Sequence, residues 1–167
     1  MGLESMKREQ HPHNLYFRSG RTADLAVIEN LLHLAGMDGE IDPRHCLIAE
    51  SQSGILGFAR VETIRQKAFI RPIVVHPSAQ QQGIGRGLIQ RLLAQYSELR
   101  VVSRGDAQEF YRRMGFAQFP WSEVPEEIRC ECELCPQASS CQPIPMVGYR
   151  QGESQHIPID QEEGKKI

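Results

Sequence analysis

The chain has 167 residues, of which 40% are hydrophobic and 24% charged, a composition that suits one globular domain with a sizeable core. The 19 Lys and Arg residues against 21 Asp and Glu residues give a net charge of -2, which excludes a bulk positive field for nucleic acid or an anionic membrane. No apolar run reaches the roughly 18 residues of a membrane span, and the polar N-terminus lacks the apolar stretch of a signal peptide, so we expect a cytoplasmic protein.

The N-terminal part of the chain predicts one strand followed by one helix. Residues 1–13 are polar and are expected to form a flexible tail. Apolar and polar residues then alternate over 15–18, which predicts a strand. A helical spacing of apolar residues over 25–35 predicts the first helix, with Thr22 as its N-cap and Gly36 as the left-handed residue that ends it.

Three further strands are predicted in the middle of the chain. Two apolar runs, 47–50 and 55–61, flank residues typical of a turn and predict a hairpin. A third run, 68–75, predicts a strand that contains Pro72. Because proline has no amide hydrogen to donate to a neighbouring strand, we expect a bulge or a break at Pro72.

The second half of the chain predicts alternating helices and strands. A helix with an apolar face over 88–96 precedes a short buried strand at 99–102. A short helix should follow, with Asp106 as its N-cap. Two more strands are predicted at 116–119 and 146–149.

A glycine-rich turn separates the Pro72 strand from the helix that follows it. Gly83, Gly85 and Gly87 have no Cβ to keep an anion away from the free first-turn amides of that helix, and Arg86 adds a charge. A P-loop would need Gly-Lys-Ser/Thr at the end of the turn, and a dinucleotide fingerprint would need glycine where Leu88 stands. The alternative to an anion site is a helix cap without a ligand.

A third anion-binding pattern does fit this turn. It consists of Gln or Arg, two residues, Gly, any residue, then Gly or Ala, and residues 80–85 (Gln-Gln-Gln-Gly-Ile-Gly) match it at every position. With this motif the chain resembles the GNAT superfamily of acyl-CoA N-acetyltransferases. The strand end at 73–77 (Ile-Val-Val-His-Pro) and the Phe-Tyr and Gly-Phe pairs within 107–116 are similar to further family signatures. The resemblance extends over residues 14–120.

The resemblance implies a fold and an activity. We expect the α/β GNAT fold, with a mixed, mainly antiparallel sheet of six to seven strands, splayed at Pro72, and helices on both faces. A single N-acetyltransferase domain is expected over 14–150, with flexible tails at 1–13 and 151–167. The expected activity moves an acetyl group from acetyl-CoA, the cosubstrate, to the amine of a small molecule by direct attack in a ternary complex. No metal, nucleic-acid or membrane partner is expected, and a homodimer is left open.

The resemblance also assigns the residues that hold CoA. The turn amides would bind the pyrophosphate, and the free edge of the preceding strand would pair with the pantetheine amides as if they were a peptide strand. The residues implied are Ile73, Val74, Val75, Gln80, Gln81, Gln82, Gly83, Ile84, Gly85, Arg86 and Gly87.

Two catalytic residues are expected, one for each proton that moves. Tyr111 matches the family tyrosine that protonates the departing thiolate, although an aromatic residue on this helix can also be a core ring. Glu50 is the expected base for the amine, with Glu62 and His76 as alternatives at neighbouring strand ends. Arg104 stands where many family members carry asparagine, so the resemblance does not imply that family asparagine's side-chain contact to the pantetheine arm for this chain.

The acceptor is predicted from one arginine. Arg71 lies two residues before the CoA-binding strand segment and could bind a substrate carboxylate in bidentate fashion. The strand around Arg71 and the later stretch 135–141 (Cys-Pro-Gln-Ala-Ser-Ser-Cys) resemble the branch that contains arsenic-resistance acetyltransferases and the acetyltransferase domains of arginine-pathway enzymes. An amino acid or an analogue is therefore expected. Another small amine, a protein N-terminus and a lysine are the alternatives.

Four cysteines fall close together at Cys130, Cys132, Cys135 and Cys141. Their spacing does not match the paired hooks of a zinc site, so unligated thiols in a loop are predicted, with metal and a redox pair as alternatives.

Two further functions stay open for the chain: a CoA-binding sensor without turnover, and a zinc-stabilised interaction domain.

Overall fold

The computed structural model describes residues 14–152. Within this range seven strands form one sheet and five α-helices pack around it. The strands are β1 (Tyr16–Ser19), β2 (Cys46–Ser51), β3 (Gly54–Ile64), β4 (Lys67–Val75), β5 (Glu98–Ser103), β6 (Ala117–Gln118) and β7 (Ile144–Tyr149). The helices are α1 (Leu25–Leu34), α2 (Ile84–Gln95), α3 (Gln108–Arg113), α4 (Glu126–Leu134) and α5 (Ala138–Cys141).

The sheet has the order β1-β2-β3-β4-β5-β7-β6. All neighbouring strands are antiparallel except β4 and β5, which are parallel. This parallel pair meets at one register position, Phe69 opposite Arg100, and the strands separate beyond it. The mixed, mainly antiparallel sheet expected from the sequence is confirmed.

The separation of β4 from β5 coincides with the bulge expected at Pro72. On the β3 side, Ala59 pairs with Ile73 and Val61 pairs with Ile70. Between these two pairs β3 advances by two residues and β4 by three, so β4 carries one extra residue beside Pro72. The break in regular pairing lets the second half of β4 turn away from β5.

Helices cover both faces of the sheet, as expected. In β3, Phe58 packs with α1 while the next residue, Ala59, packs with α2 on the opposite face, because successive side chains of a strand alternate between faces. The α2 side is formed by buried Leu88 and Ile89. Ile128 of α4 closes a third cluster with Phe69, Phe119, Val124 and Val147.

The two N-caps expected from the sequence are wrong. Thr22 lies inside a 3-10 turn, Thr22–Asp24, in which the Asp24 carboxylate accepts a hydrogen bond from the Arg21 amide at 2.8 Å. Asp106 likewise lies in a 3-10 turn before α3 and its side chain makes no cap hydrogen bond. In both places the tighter turn precedes the helix and satisfies its first amides differently. The positive φ of Gly36 at the end of α1 is as expected.

The cysteine-rich segment is helical, which corrects the expected loop. α4 carries Cys130 and Cys132, and α5 ends at Cys141. Acidic Glu126 and Glu127 occupy the first turn of α4, where they suit the helix dipole.

The expected tails lie almost wholly outside the described residues. Residues 1–13 and 153–167 are not described, and residues 151–152 form an exposed turn. Among the helices between residues 14 and 152, none combines the length and apolar character needed to cross a membrane.

Candidate active site

A groove of about 1130 Å³ lies where β4 and β5 separate. Its walls come from β4, the glycine-rich turn, β5 and α3. Of the predicted cofactor residues, the groove is lined by Ile73, Val75, Gln80, Gln81, Gly83, Ile84, Gly85 and Arg86. The structure thus brings eight of the eleven to one surface.

The remaining three predicted cofactor residues do not line the groove. Val74 is buried with α1 on the other face of the sheet. The Gln82 side chain lies 3.4 Å from the Ser78 carbonyl oxygen, which accepts its hydrogen bond. A Cβ on Gly87 would lie 2.4 Å from the Phe17 ring, so glycine at this position lets α2 pack closely on β1.

The turn before α2 presents unpaired backbone amides. Gly83 has a φ of +81° and forms the N-cap of α2, a conformation that favours glycine. The first helical hydrogen bond runs from the Gly87 amide to the Gly83 carbonyl oxygen at 3.0 Å. The amides of Ile84, Gly85 and Arg86 therefore have no acceptor within the helix, and these three residues line the groove. This arrangement suits an anionic group.

The last residues of β4 offer a free backbone edge to the groove. Ile73 and Val75 pair with β3 on one side, and the pairing with β5 has already ended at Phe69. The His76 amide donates to the Leu56 carbonyl oxygen of β3 at 2.7 Å. Because amides alternate along a strand, the Val75 amide points away from β3, toward the groove. An extended chain of amides could pair here as an added strand.

Tyr111 on α3 lines the same groove. Its residue surface is only 3% exposed, and its ring packs edge-on against Phe110 and at a tilt against Phe116. Burial raises the pKa of the Tyr111 phenol above its usual value of 10. The hydroxyl is therefore protonated at neutral pH and can donate its proton or a hydrogen bond.

Glu50 does not line the groove. It lies opposite Tyr16 in the β1–β2 pair, and its carboxylate is 2.6 Å from Arg18 Nε. Arg18 also forms two hydrogen bonds with Asp24, at 2.8 and 2.9 Å. The hydrogen bond from Arg18 lowers the pKa of the Glu50 carboxyl below its usual value. A carboxylate held in this way is a weaker base.

Replacing Glu50 by glutamine separates a catalytic from a structural role. Since its folded-state pKa is lowered, Glu50 stabilises the fold above about pH 4.5, its unperturbed value, and that stability is lost as the pH falls through the lowered pKa. We expect Glu50→Gln to lower the unfolding midpoint at pH 7, to flatten its decline in acid, and to change kcat less than twofold. Exposed Glu29→Gln is the control. A base would instead show a kcat loss of about 10²- to 10⁴-fold.

The two alternative bases also lie off the groove. Glu62 Oε2 is 3.1 Å from Arg71 Nε, and Glu62 Oε1 is 3.6 Å from Arg60 Nη2. His76 Nδ1 accepts a hydrogen bond from the Ser78 amide at 3.1 Å. Neither residue is among those that line the groove.

Arg71 and Arg104 both line the groove at its β4–β5 end. The Arg71 guanidinium contacts two carboxylates, Glu62 and Glu131. Arg104 Nε lies 3.5 Å from Asp106 Oδ1, and its side chain is about half exposed. The structure thus brings Arg71 next to the predicted CoA-binding edge.

Sequence reasoning missed Glu131 because the cysteine segment was expected to be a loop. The sequence does carry a helix signal there: Pro125 is followed by Glu126 and Glu127, a pattern typical of a helix start. It also missed Phe110, whose ring would lie 3.2 Å from a Cβ on Gly85 and so packs directly on the turn.

All five cysteines are free thiols. Within residues 14–152, no group of three or more His, Cys, Asp or Glu residues is placed so that it could hold a metal ion.

Comparisons with known proteins agree with the fold and groove described above. Residues 42–118 match the family model described as an acetyltransferase (GNAT) domain. The resemblance to the GNAT acetyltransferases inferred from the sequence is confirmed, since the matched segment is similar to that family's domain. An uncharacterised N-acetyltransferase of Chlorobaculum tepidum is 27% identical over 110 residues, which are 62% of this chain and 70% of that protein.

Solved structures share the fold at low sequence identity. An N-acetylglutamate synthase of Neisseria gonorrhoeae, complexed with coenzyme A and N-acetyl-glutamate, superposes with a TM-score of 0.67 at 19% identity over 82% of this chain, and this chain spans 35% of that longer one. The ribosomal-protein-S18-alanine N-acetyltransferase of Escherichia coli gives a TM-score of 0.58 at 17% identity, covering 86% of this chain and 99% of that one. At these identities the similarity shows the fold.

Proposed function

We propose that residues 14–150 form a single domain that transfers the acetyl group of acetyl-CoA to the amine of a small molecule, an amino acid or an analogue. The observation that carries this proposal is the groove between β4 and β5, which combines free turn amides, a free strand edge and a protonated tyrosine. These three features would hold the donor and stabilise the developing charges during acetyl transfer from a thioester, and Arg71 would select the acceptor.

The first need is to hold the donor. The free amides of Ile84, Gly85 and Arg86 would bind the CoA pyrophosphate, assisted by the α2 dipole and the Arg86 guanidinium. The pantetheine arm would pair with the free edge at Ile73 and Val75. Such pairing would fix the thioester in one orientation relative to the attacking amine.

The second need is to stabilise the charges that develop. The Val75 amide would donate to the thioester oxygen as it becomes negative. The neutral amine nitrogen would bond to the carbonyl carbon, the C–S bond would break, and the sulfur would take a proton from the Tyr111 hydroxyl. The proton lost by the amine nitrogen would pass to solvent water, and water would return a proton to the Tyr111 phenolate.

The third need is to select the acceptor. Arg71 would bind a carboxylate of the substrate, which supports an amino-acid acceptor. The N-acetyl-glutamate bound to the structurally similar synthase is consistent with such an acceptor. A protein N-terminus remains the second candidate, because the E. coli relative by fold is named for a ribosomal protein.

The proposed setting is the cytoplasm, where acetyl-CoA is present and five free thiols stay reduced. No metal, nucleic acid or membrane is part of the proposed reaction.

Calorimetry with acetyl-CoA, followed by an assay of thiol release with a panel of amines, tests this function. We expect sub-millimolar binding of acetyl-CoA and thiol release that depends on an amine, with amino acids as the first amines assayed. If acetyl-CoA does not bind at sub-millimolar concentration, the proposed acetyltransferase activity is wrong. Binding without thiol release for any amine would indicate a CoA sensor instead.

A further inference from the structure

A small cavity adjoins the groove on the side of α4 and α5. Its volume is about 200 Å³. Ile70, Arg71, Val102 and Arg104 line both the cavity and the groove. The two spaces therefore meet at the point where β4 and β5 separate, beside the strand edge proposed to hold the thioester arm.

The cavity combines an apolar wall with charged side chains. Its apolar lining comes from Phe69, Ile70, Val102, Ile128 and Pro143. The charged lining residues are Arg71, Arg104 and Glu131, which carry one net positive charge. A ligand that bears one carboxylate on an apolar body is complementary to this lining.

A carboxylate already occupies Arg71 in the free protein. Glu131 Oε2 lies 2.5 Å from Arg71 Nη2. The Glu131 side chain is 62% exposed while that of Arg71 is 22% exposed, and among residues 14–152 Glu131 has no other ionic partner. The second carboxylate on Arg71, that of Glu62, is less exposed than Glu131 and also lies 3.6 Å from Arg60 Nη2.

Exchange of Glu131 for a ligand carboxylate is favourable at this place. An ion pair with so exposed a partner is weak, whereas two parallel hydrogen bonds from a guanidinium to one carboxylate are strong and directional. Glu131 can move into water without leaving a buried charge. Arg71 meanwhile keeps its position through Glu62, so the guanidinium is already oriented for the ligand.

We propose that this cavity is the acceptor pocket for an amine that carries a carboxylate and an apolar side chain, and that the substrate carboxylate displaces Glu131 from Arg71. The inference rests on the proposed acetyl transfer and narrows its substrate class. Glu131 determines specificity as a resident counter-ion and takes no part in the chemical step.

The kinetic test compares two glutamates on α4. Glu131→Gln removes the competitor for Arg71, whereas Glu127→Gln removes the partner of Arg65, an exposed pair at 3.3 Å outside the cavity. With L-leucine, L-methionine and L-phenylalanine, we expect Glu131→Gln to lower KM about two- to fivefold, the size of an exposed ion pair, at unchanged kcat. Their carboxamides should be insensitive to Glu131→Gln, and Glu127→Gln should change neither series.

Cysteine alkylation measures binding without turnover. Cys132, Cys135 and Cys141 line the cavity, whereas Cys130 on the same helix does not. We expect the three amino acids to slow the reaction of the lining cysteines with iodoacetamide and to leave the reaction of Cys130 unchanged. Peptide mass spectrometry measures the alkylation of each cysteine. The carboxamides should protect less.

The outcomes separate this inference from the proposed function. If the amino acids protect the lining cysteines from alkylation but are not acetylated, the proposed pocket stands and the proposed acetyltransferase activity is wrong. If acetyl transfer occurs with equal KM for the amino acids and their carboxamides, and Glu131→Gln does not change these values, the proposed activity stands. The proposed acceptor pocket at Arg71 is then wrong. Protection by L-glutamate in place of the three apolar amino acids would overturn the proposed apolar side chain.

Discussion

Replacing Tyr111 by phenylalanine is expected to lower kcat by about 10²-fold or more, the contribution of a positioned general acid, with little change in the KM for acetyl-CoA. The substitution removes only the hydroxyl, and the ring contacts with Phe110 and Phe116 remain. Within residues 14–152 that hydroxyl has no hydrogen-bond partner, so its loss leaves no unsatisfied group. Initial rates of thiol release at saturating amine give the kcat of each variant.

The matched control for this substitution is Tyr149→Phe. Tyr149 lies at the end of β7, is partly buried and does not line the groove. Its loss of a hydroxyl should leave kcat unchanged, and thermal unfolding should show both variants folded. Equal kcat in Tyr111→Phe and the parent protein would assign Tyr111 to the core and leave the thiolate to be protonated by water.

Replacing Gly83 by alanine is expected to weaken CoA binding about tenfold or more, as one hydrogen bond to a charged group is lost. No atom lies within 4 Å of a Cβ built on Gly83, so the added methyl group would project into open space at the mouth of the amide cluster. The positive φ of Gly83 also costs an alanine about 1 kcal/mol of stability. Calorimetric titration with CoA measures the affinity.

Gly36→Ala controls for the cost in stability. Gly36 has a similar φ of +68°, has open space around its Cβ position, and does not line the groove. Both variants should unfold at similarly lowered temperatures, and only Gly83→Ala should lose affinity for CoA. If both variants bind CoA like the parent protein, the pyrophosphate does not lie at this turn.

Local sequence patterns were sufficient where one chain segment determines the feature. The periodicity of α1 and α2, the hairpin of β2 and β3, and the bulge at Pro72 all follow from neighbouring residues and are found as expected. The same holds for the glycine turn, because the positive φ and the free amides are properties of residues 81–87 alone.

Long-range register was not accessible in the same way. The strand containing Glu50 was correctly placed, but the position of Arg18 beside it depends on the pairing of β1 with β2. Likewise, Arg71 was correctly assigned to β4, while its contact with Glu131 depends on how α4 packs over the sheet. The N-caps failed for a local reason, since 3-10 turns before α1 and α3 move the N-cap from Thr22 to Asp24 and from Asp106 to Ala107.

The divergence of β4 from β5 also bears on how the chain avoids association. Unpaired strand edges usually lie at the rim of a sheet, where a second molecule can add a strand. Here two such edges lie inside the sheet and face each other across a wedge that closes at Phe69 and Arg100. A slender extended chain fits that wedge, whereas the edge of another sheet, with strands on both sides and side chains above and below, does not. The protein can therefore keep free backbone groups available to a ligand without exposing them to its own copies.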